Sequence, residues 1–364
     1  MRCKLFLFLI TILFVSGCAV NSDLNKCETP SQAKALIEQA YRYQLLNDYD
    51  TAREKLREAI VLLRQEQNRQ GEAGAFLAIA GLELIFLNID AAQDAFSEAE
   101  KLFRQGHNRC GEAYAIGGNG RVNLARGNYD AARQAYCKAA EIFRQEKDQG
   151  GEAFVNVCYG DLELTLSNYN AARKAYNKAV EIFGNNQDRI NEADALRGIG
   201  NLEIMLDNYD AARSAYRKMA LLYAKAQNLP GQAFALSKIG KSEAILGNYD
   251  AFRKAYKEAI EIYRKTKQRR SKADLLLELG TFELILYNHD AAREALDEAV
   301  EIYKQEQDRL GEAKVFFEIG ELEEELGNHN SARKAYCKAA ELYRQEQSQK
   351  GEDLVTKALE ELGE

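Results

Sequence analysis

The sequence has few of the side chains on which catalysis and metal binding usually depend. Only three histidines occur in 364 residues. None of the three is paired with a nucleophile or spaced as a metal ligand would be. We therefore expect no enzymatic activity, no metal, no cofactor and no small-molecule substrate.

Proline and disulfide bridges impose few constraints on the backbone. Proline, the strongest interrupter of a helix, occurs only as Pro30 and Pro230, so long helices are permitted through the rest of the chain. The seven cysteines do not form a framework. Cys137 and Cys337 occupy equivalent positions 200 residues apart, too far for a bridge in a stacked array. The sequence predicts no stabilising disulfide.

The chain also lacks a positive charge excess. Its formal net charge is -7, with 49 basic and 56 acidic residues of both signs interspersed. A protein that binds a nucleic-acid backbone needs a basic surface to neutralise phosphates. We therefore expect no nucleic-acid partner.

The first 18 residues have the pattern of a secretion signal. Arg2 and Lys4 precede an apolar run at residues 5–14. That run is too short to span a bilayer, which takes about 20 residues. The next four residues, Val-Ser-Gly-Cys, resemble a bacterial lipobox. The resemblance implies a lipoprotein signal peptide over residues 1–17 and a lipid on the thiol of Cys18. The alternatives are an uncleaved anchor, or an ordinary signal peptide with a coincidental cysteine.

The residues after this cysteine bear on location. Ala19, rather than Asp, resembles lipoproteins that are sent to the outer membrane. Residues 18–30 are polar and are predicted to be a flexible tether. We expect a protein anchored by lipid in the cell envelope, on the outer membrane and facing the periplasm.

Insertions and deletions are absent from eight copies of a 40-residue unit, which fill residues 31–350. A short motif marks each copy: DYDTAR at Asp48, NIDAAQ at Asn88, NYDAAR at Asn128, NYNAAR at Asn168, NYDAAR at Asn208, NYDAFR at Asn248, NHDAAR at Asn288 and NHNSAR at Asn328. Self-similarity at one fixed period predicts a stacked repeat array. Such arrays mostly present surfaces to partners.

Each unit has the pattern of a helical hairpin. In one copy the apolar positions step by three and four residues through Tyr209, Ala212, Tyr216, Met219 and Tyr223. That spacing predicts a helix with one apolar face. We expect helix A, a tight turn, helix B and a longer polar loop, with the Asn and Asp beside the turn tyrosine capping helix B.

Small and large residues recur at fixed positions, so that helices can approach closely. The pattern Leu196, Gly200, Tyr209, Ala212 and Tyr216 resembles the tetratricopeptide repeat. The 40-residue period resembles its longer variant, found in kinesin light chains and G-protein modulators. The resemblance implies an all-α fold, a right-handed α-solenoid of stacked helix-turn-helix repeats. Residues 351–364 begin a ninth unit and are predicted to be a capping helix.

A column of glutamates on helix A is matched by a column of arginines ten residues later. Glu163 with Arg173 and Glu283 with Arg293 are two such pairs. A feature repeated this many times belongs to the scaffold, because catalytic carboxylates need one site with different environments. The sequence predicts a ladder of ion pairs inside each repeat.

Three positions of helix A vary from copy to copy while the core positions barely change. In tetratricopeptide arrays the A helices line the concave surface, and aromatic residues on an unburied face are candidate anchors for a partner. Free drift of solvent-facing positions would give the same variation. The candidate partner-binding groove consists of Tyr41, Tyr114, Arg121, Phe154, Asp161, Arg197, Asn201, Phe234, Lys241 and Phe317.

These features predict a membrane-anchored protein–protein interaction scaffold of the bacterial cell envelope. Its partner is expected to be another protein, held in the groove as an extended peptide or a helix. The alternative is a cytoplasmic or inner-membrane signalling adaptor, which requires the lipobox to be false. An enzyme acting on the cell wall is disfavoured, because the repeats leave no residues for a catalytic domain.

Overall fold

A computed structural model describes residues 32–45 and 48–363, and this part of the chain is entirely α-helical, with 17 helices and no strand. The helices are α1 (Gln32–Leu45), α2 (Tyr49–Gln65), α3 (Arg69–Ile85), α4 (Ile89–Gln105), α5 (Arg109–Ala125), α6 (Tyr129–Gln145), α7 (Gln149–Thr165), α8 (Tyr169–Asn185), α9 (Arg189–Met205), α10 (Tyr209–Lys225), α11 (Leu229–Ile245), α12 (Tyr249–Lys265), α13 (Arg269–Ile285), α14 (His289–Gln305), α15 (Arg309–Glu325), α16 (His329–Gln345) and α17 (Gln349–Gly363). Odd-numbered helices are A helices and even-numbered helices are B helices. The predicted all-α stack of helical hairpins is confirmed.

The predicted signal peptide, the lipid site Cys18 and the tether lie outside the described residues. Among residues 32–45 and 48–363, no helix combines the length and apolar character needed to cross a membrane.

From α2 onwards, three-residue connections join the helices, and the middle residue has a left-handed backbone. Gly127, Gly247 and Gly327 have φ between 75° and 77°, which glycine adopts freely. Other turns place a side chain there, as at Leu87 with φ 58°. The turn after α5 is closed by the amide of Asn128, which donates to the carbonyl of Asn123 at 2.8 Å. This reversal ends one helix and starts the next without a long loop.

Most A helices begin with a side-chain cap, whereas most B helices do not. The side chain of Asp148 accepts from the amide of Gly151 at 2.8 Å and so caps the A helix α7. Asn168, at the start of the B helix α8, makes no such cap. Its amide instead donates to Glu163 of the preceding A helix at 2.7 Å. The expected cap of helix B is therefore absent at Asn168, because its side chain bonds to the buried carboxylate instead. In the first copy the expectation is confirmed, since Asp48 accepts from the amide of Thr51 at 3.1 Å and caps α2.

Aromatic residues of the B helices pack directly against glycines of the A helices. A Cβ atom on Gly160 would lie 2.6 Å from the ring of Tyr176, and one on Gly200 would lie 2.3 Å from the ring of Tyr216. Contacts this short are not tolerated, so these positions accept no side chain. The predicted packing of small against large residues is confirmed.

The Glu–Arg ladder joins neighbouring repeats rather than the two helices of one repeat. Arg253 of α12 donates to both carboxylate oxygens of Glu283 in α13, at 2.7 and 2.8 Å. The same spacing of 30 residues recurs in four further pairs: Arg53–Glu83, Arg133–Glu163, Arg173–Glu203 and Arg293–Glu323. The predicted pairing inside a repeat is thus wrong, because the arginine in the first turn of helix B faces the following helix A.

The packing of Cα atoms divides the chain into two compact units. Unit 1 comprises the residues up to Ala235, and unit 2 comprises Leu236–Glu364. The division falls inside α11. In unit 2 the predicted capping segment forms most of the last helix, α17, in which Gly351 and Val355 are buried.

Candidate partner-binding surface

In unit 1 most of the predicted groove residues are buried or half-buried, so their expected exposure to solvent is wrong. Arg121, Phe154 and Arg197 are only 8%, 4% and 3% exposed. Tyr114 is half-buried and packs against Phe154 and Phe143, with ring centroids 5.4 and 4.7 Å apart. These aromatic side chains belong to the core rather than to an open surface.

These side chains are covered because the residue at a fourth position of helix A, next to the three variable positions, is small. A Cβ on Gly118 would lie 2.2 Å from the ring of Phe96, and one on Gly198 would lie 2.4 Å from the ring of Tyr176. The rings of the B helices fill the space that a side chain would otherwise occupy. Neighbouring variable side chains are therefore packed in and covered.

The polar candidates of unit 1 bond to the hydroxyl groups of these tyrosines. Tyr176 donates to Asp161 at 2.6 Å, and Tyr216 donates to Asn201 at 2.8 Å. Tyr41 and Phe234 are half-buried. The two hydrogen bonds give Asp161 and Asn201 partners from within unit 1.

The charges of unit 1 also compensate one another. Burial raises the pKa of Asp161 to about 6, and the hydrogen bond from Tyr176 and the positive charges of Arg197 and Arg121 oppose that rise. The structure thus brings Arg121, Asp161 and Arg197 of the predicted set together, as an internal network.

In unit 2 the matching face contains a pocket, here called the α15 pocket. It has a volume of about 580 Å³ and lies among α13, α15, α16 and α17. Its lining consists of Thr281, Leu284, Ile285, Phe317, Glu318, Glu321, Glu324, Glu325, Tyr336, Leu354, Lys357, Ala358 and Glu361. The aromatic wall is Phe317 against Tyr336, with ring centroids 5.6 Å apart. Two apolar side chains, Ile285 and Leu354, are 64% and 47% exposed.

The carboxylates of the α15 pocket interact unfavourably. Burial first, and the neighbouring charge of Glu321 second, raise the pKa of Glu318 to about 7. The pKa of Glu321 at the mouth is raised by partial burial and then by Glu325 and Glu324. Tyr336 donates to Glu324 at 2.8 Å. Oε2 of Glu318 is buried and has no hydrogen-bond partner among the described residues.

The predicted residue Lys241 lies in unit 2 but is already paired. Its ammonium donates to Glu278 at 2.7 Å, and Glu278 also accepts from Tyr256 at 2.9 Å. Of the predicted groove residues, Phe317 is the one that lines the α15 pocket.

Family models match three stretches of the chain. Both models are described as tetratricopeptide repeat; one covers residues 151–220 and 271–345, and the other covers residues 235–266. The chain contains tetratricopeptide repeats. No curated protein sequence matches it.

Solved structures with tetratricopeptide-like folds resemble the whole array. Aspartyl phosphate phosphatase F from Bacillus subtilis is 14% identical over 93% of this chain and 95% of that chain, with a TM-score of 0.55. A Rap protein complexed with competence and sporulation factor is 14% identical over 91% and 98%, with a TM-score of 0.53. A signal transduction ATPase with a tetratricopeptide repeat sensor, from Pyrococcus horikoshii, is 14% identical over 84% and 51%, with a TM-score of 0.56. At this identity the likeness shows the fold alone.

Sequence reasoning missed the acidic residues of the α15 pocket, although a signal exists in the repeats. The fourth A-helix position reads Glu38, Ala78, Gly118, Cys158, Gly198, Lys238, Glu278 and Glu318 in the eight copies. The change from small to long side chains falls at Lys238, close to the start of unit 2. From the second copy onwards, Gly118 and Gly198 at this position accompany a covered face, and Glu318 accompanies the α15 pocket. In the described part of the chain, no group of three or more His, Cys, Asp or Glu could hold a metal ion.

Proposed function

We propose that this protein is a membrane-anchored protein-interaction scaffold of the bacterial cell envelope, and that its partner binds at the α15 pocket. One observation carries this proposal. The tetratricopeptide array leaves Ile285 and Leu354 exposed beside an aromatic wall and a cavity of about 580 Å³. Cavities of about 300–1,000 Å³ with apolar walls and a few polar groups are typical binding sites. We also propose that the repeats are of the longer 40-residue variant.

Photo-crosslinking in cells tests the scaffold function. A photoreactive side chain at Ile285 is expected to give a discrete protein adduct. A matched probe at Glu294, exposed on α14, is expected to give none. Equal adducts from both positions, or none from either, would show that the working surface lies elsewhere.

The anchor is proposed to be a lipid on Cys18. The proposal is supported by the basic start, the short apolar run and the Val-Ser-Gly-Cys sequence. One acyl chain binds a membrane only marginally, whereas two or more anchor stably. Ala19 supports an outer-membrane location that faces the periplasm.

Replacing the cysteine tests the anchor. Cys18→Ala is expected to abolish palmitate labelling and to release the protein from the membrane fraction. An unchanged membrane fraction and an absence of label in the unaltered protein would favour the cytoplasmic or inner-membrane adaptor instead.

A further inference from the structure

We infer that the α15 pocket takes a basic segment of a partner protein, in which a Lys or Arg side chain lies next to an apolar side chain. This inference rests on the proposed function and names the partner's chemistry. The first step is the sign of the charge. Five glutamates line the pocket, whereas Lys357 is its one basic residue. Lys357 lies 3.4 Å from Glu361 and is neutralised there.

The second step is the lack of compensation at the remaining carboxylates. Within the described residues, no salt bridge joins Glu318, Glu321 or Glu324 to a basic group. Glu325 lies 3.6 Å from Nδ1 of His289, which is charged only when protonated. In unit 1, by contrast, Asp161 experiences two arginines. The pocket therefore holds negative charge that the protein does not neutralise itself.

The third step is the energy of these carboxylates without a ligand. Burial and mutual repulsion raise the pKa of both Glu318 and Glu321, so ionisation is unfavourable in the empty pocket. Glu321 acts on Glu318, and Glu325 and Glu324 act on Glu321. A hydrogen bond with Thr281 of α13 opposes the rise at Glu318, and Tyr336 and Tyr343 of α16 lie close by. An entering ammonium or guanidinium group would supply the missing counter-charge and hydrogen-bond donors.

The fourth step is the shape of the apolar wall. Phe317 and Tyr336 form one side, and the exposed Ile285 and Leu354 form the rim. The aliphatic stem of Lys or Arg packs on such surfaces while its charged end reaches polar groups. A volume of about 580 Å³ accommodates such a side chain together with an apolar neighbour. An acidic or purely apolar segment matches only half of the lining.

Fluorescence anisotropy with the full chain tests the inference. The probe is a labelled 12-residue peptide that alternates Arg and Leu, and its comparison peptide carries Glu in place of Arg. The double variant Glu318→Gln with Glu321→Gln is expected to bind the basic probe about tenfold more weakly or worse, because it removes two charges from the pocket. The matched control is Glu294→Gln with Asp297→Asn on α14, which removes the same charge from exposed positions. This control is expected to bind as the unaltered protein does.

Two results would overturn the inference: equal affinity for the Arg and Glu peptides, or equal weakening by the two double variants. The second result would mean that only the overall negative charge attracts the probe. The proposed function fails separately. The peptide results could be negative while crosslinking from Ile285 still gives an adduct that the Glu294 probe does not. The proposed scaffold function would then be retained, and only the basic character of the partner would be refuted. If crosslinking from Ile285 also gives no specific adduct, both the proposed function and the inference are refuted.

Discussion

Replacing Glu318 by Gln should raise the stability of unit 2, and by much more at high pH than at low pH. Burial raises the pKa of this carboxyl, so the folded state favours its protonated form. The group therefore contributes stability at low pH, and that stability is lost as the pH rises through the folded pKa of about 7. Gln has the shape of the protonated acid and cannot ionise. The variant should accordingly exceed the unaltered protein at pH 8.5 and by much less at pH 5, where the unfolded carboxyl, with its ordinary pKa of 4.5, is ionised but the folded one is still protonated.

The size of the effect follows from the shift. A rise from 4.5 to about 7 corresponds to about 3 kcal/mol when the group is fully ionised. Glu318 is half-buried rather than fully buried, so solvent screening reduces this figure. We expect about 1–3 kcal/mol of added stability at pH 8.5 and less than about 1 kcal/mol at pH 5. This figure already contains the repulsion between Glu318 and Glu321, so nothing further is added for it.

Urea unfolding followed by circular dichroism, at pH 5 and at pH 8.5, measures this difference. Glu294→Gln provides the control, because Glu294 is exposed on α14 outside the pocket. A gain for Glu318→Gln that is the same at both pH values would refute the reasoning, since a lost charge acts only where the acid is ionised. A loss of stability at pH 8.5 would show that the ionised carboxylate has a partner that stabilises it.

Two further predictions concern the packing inside each unit, and thermal unfolding measures both. Gly198→Ala should destabilise unit 1 by about 1–3 kcal/mol, because its Cβ would lie 2.4 Å from the ring of Tyr176. Gly127→Ala, where φ is 77° and no atom lies within 4 Å, should lose only about 1 kcal/mol; equal losses would contradict the packing argument. Arg253→Ala should destabilise unit 2 by about 1–3 kcal/mol, because it leaves the 3%-exposed side chain of Glu283 without its cation. Adding Glu283→Gln should restore part of that loss, and no recovery would mean that the arginine stabilises the unit through other contacts.

The sequence predicts the hairpins well, because the packing of a small residue of helix A against a large residue of helix B recurs in every copy. In five of the eight copies a Gly of helix A faces a Tyr of helix B, as Gly200 faces Tyr216, whereas Gly280 faces Leu296. Local capping is predicted less well. Asn168 was expected to cap a helix, but a buried carboxylate from another helix takes its amide. The capping preference of a single residue does not predict whether a hydrogen bond to a neighbouring helix will replace the local one.

The Glu–Arg ladder shows a limit that is specific to regular repeats. Glu163 has an arginine ten residues after it, Arg173, and another 30 residues before it, Arg133. In a perfect 40-residue repeat every glutamate has both neighbours, so periodicity alone cannot separate the two pairings. The distance of 2.9 Å between Arg133 and Glu163 decides the question. The decision depends on which helix the first turn of helix B faces, which is a property of the packed array.

Exposure of the variable positions could not be predicted from their variation, because it depends on the volume of an adjacent position. Where that position is Gly118 or Gly198, an aromatic ring fills the space and the variable side chains become core. Where it is Glu318, the side chain itself occupies the face, and a pocket remains beside it. The same backbone repeat thus packs the variable face closed around Gly118 and Gly198 and leaves the α15 pocket beside Glu318. A long side chain in this column is not sufficient by itself, because Glu278 is paired with Lys241 at 2.7 Å. Glu318 differs in that the charged group acting on it is another acid, Glu321.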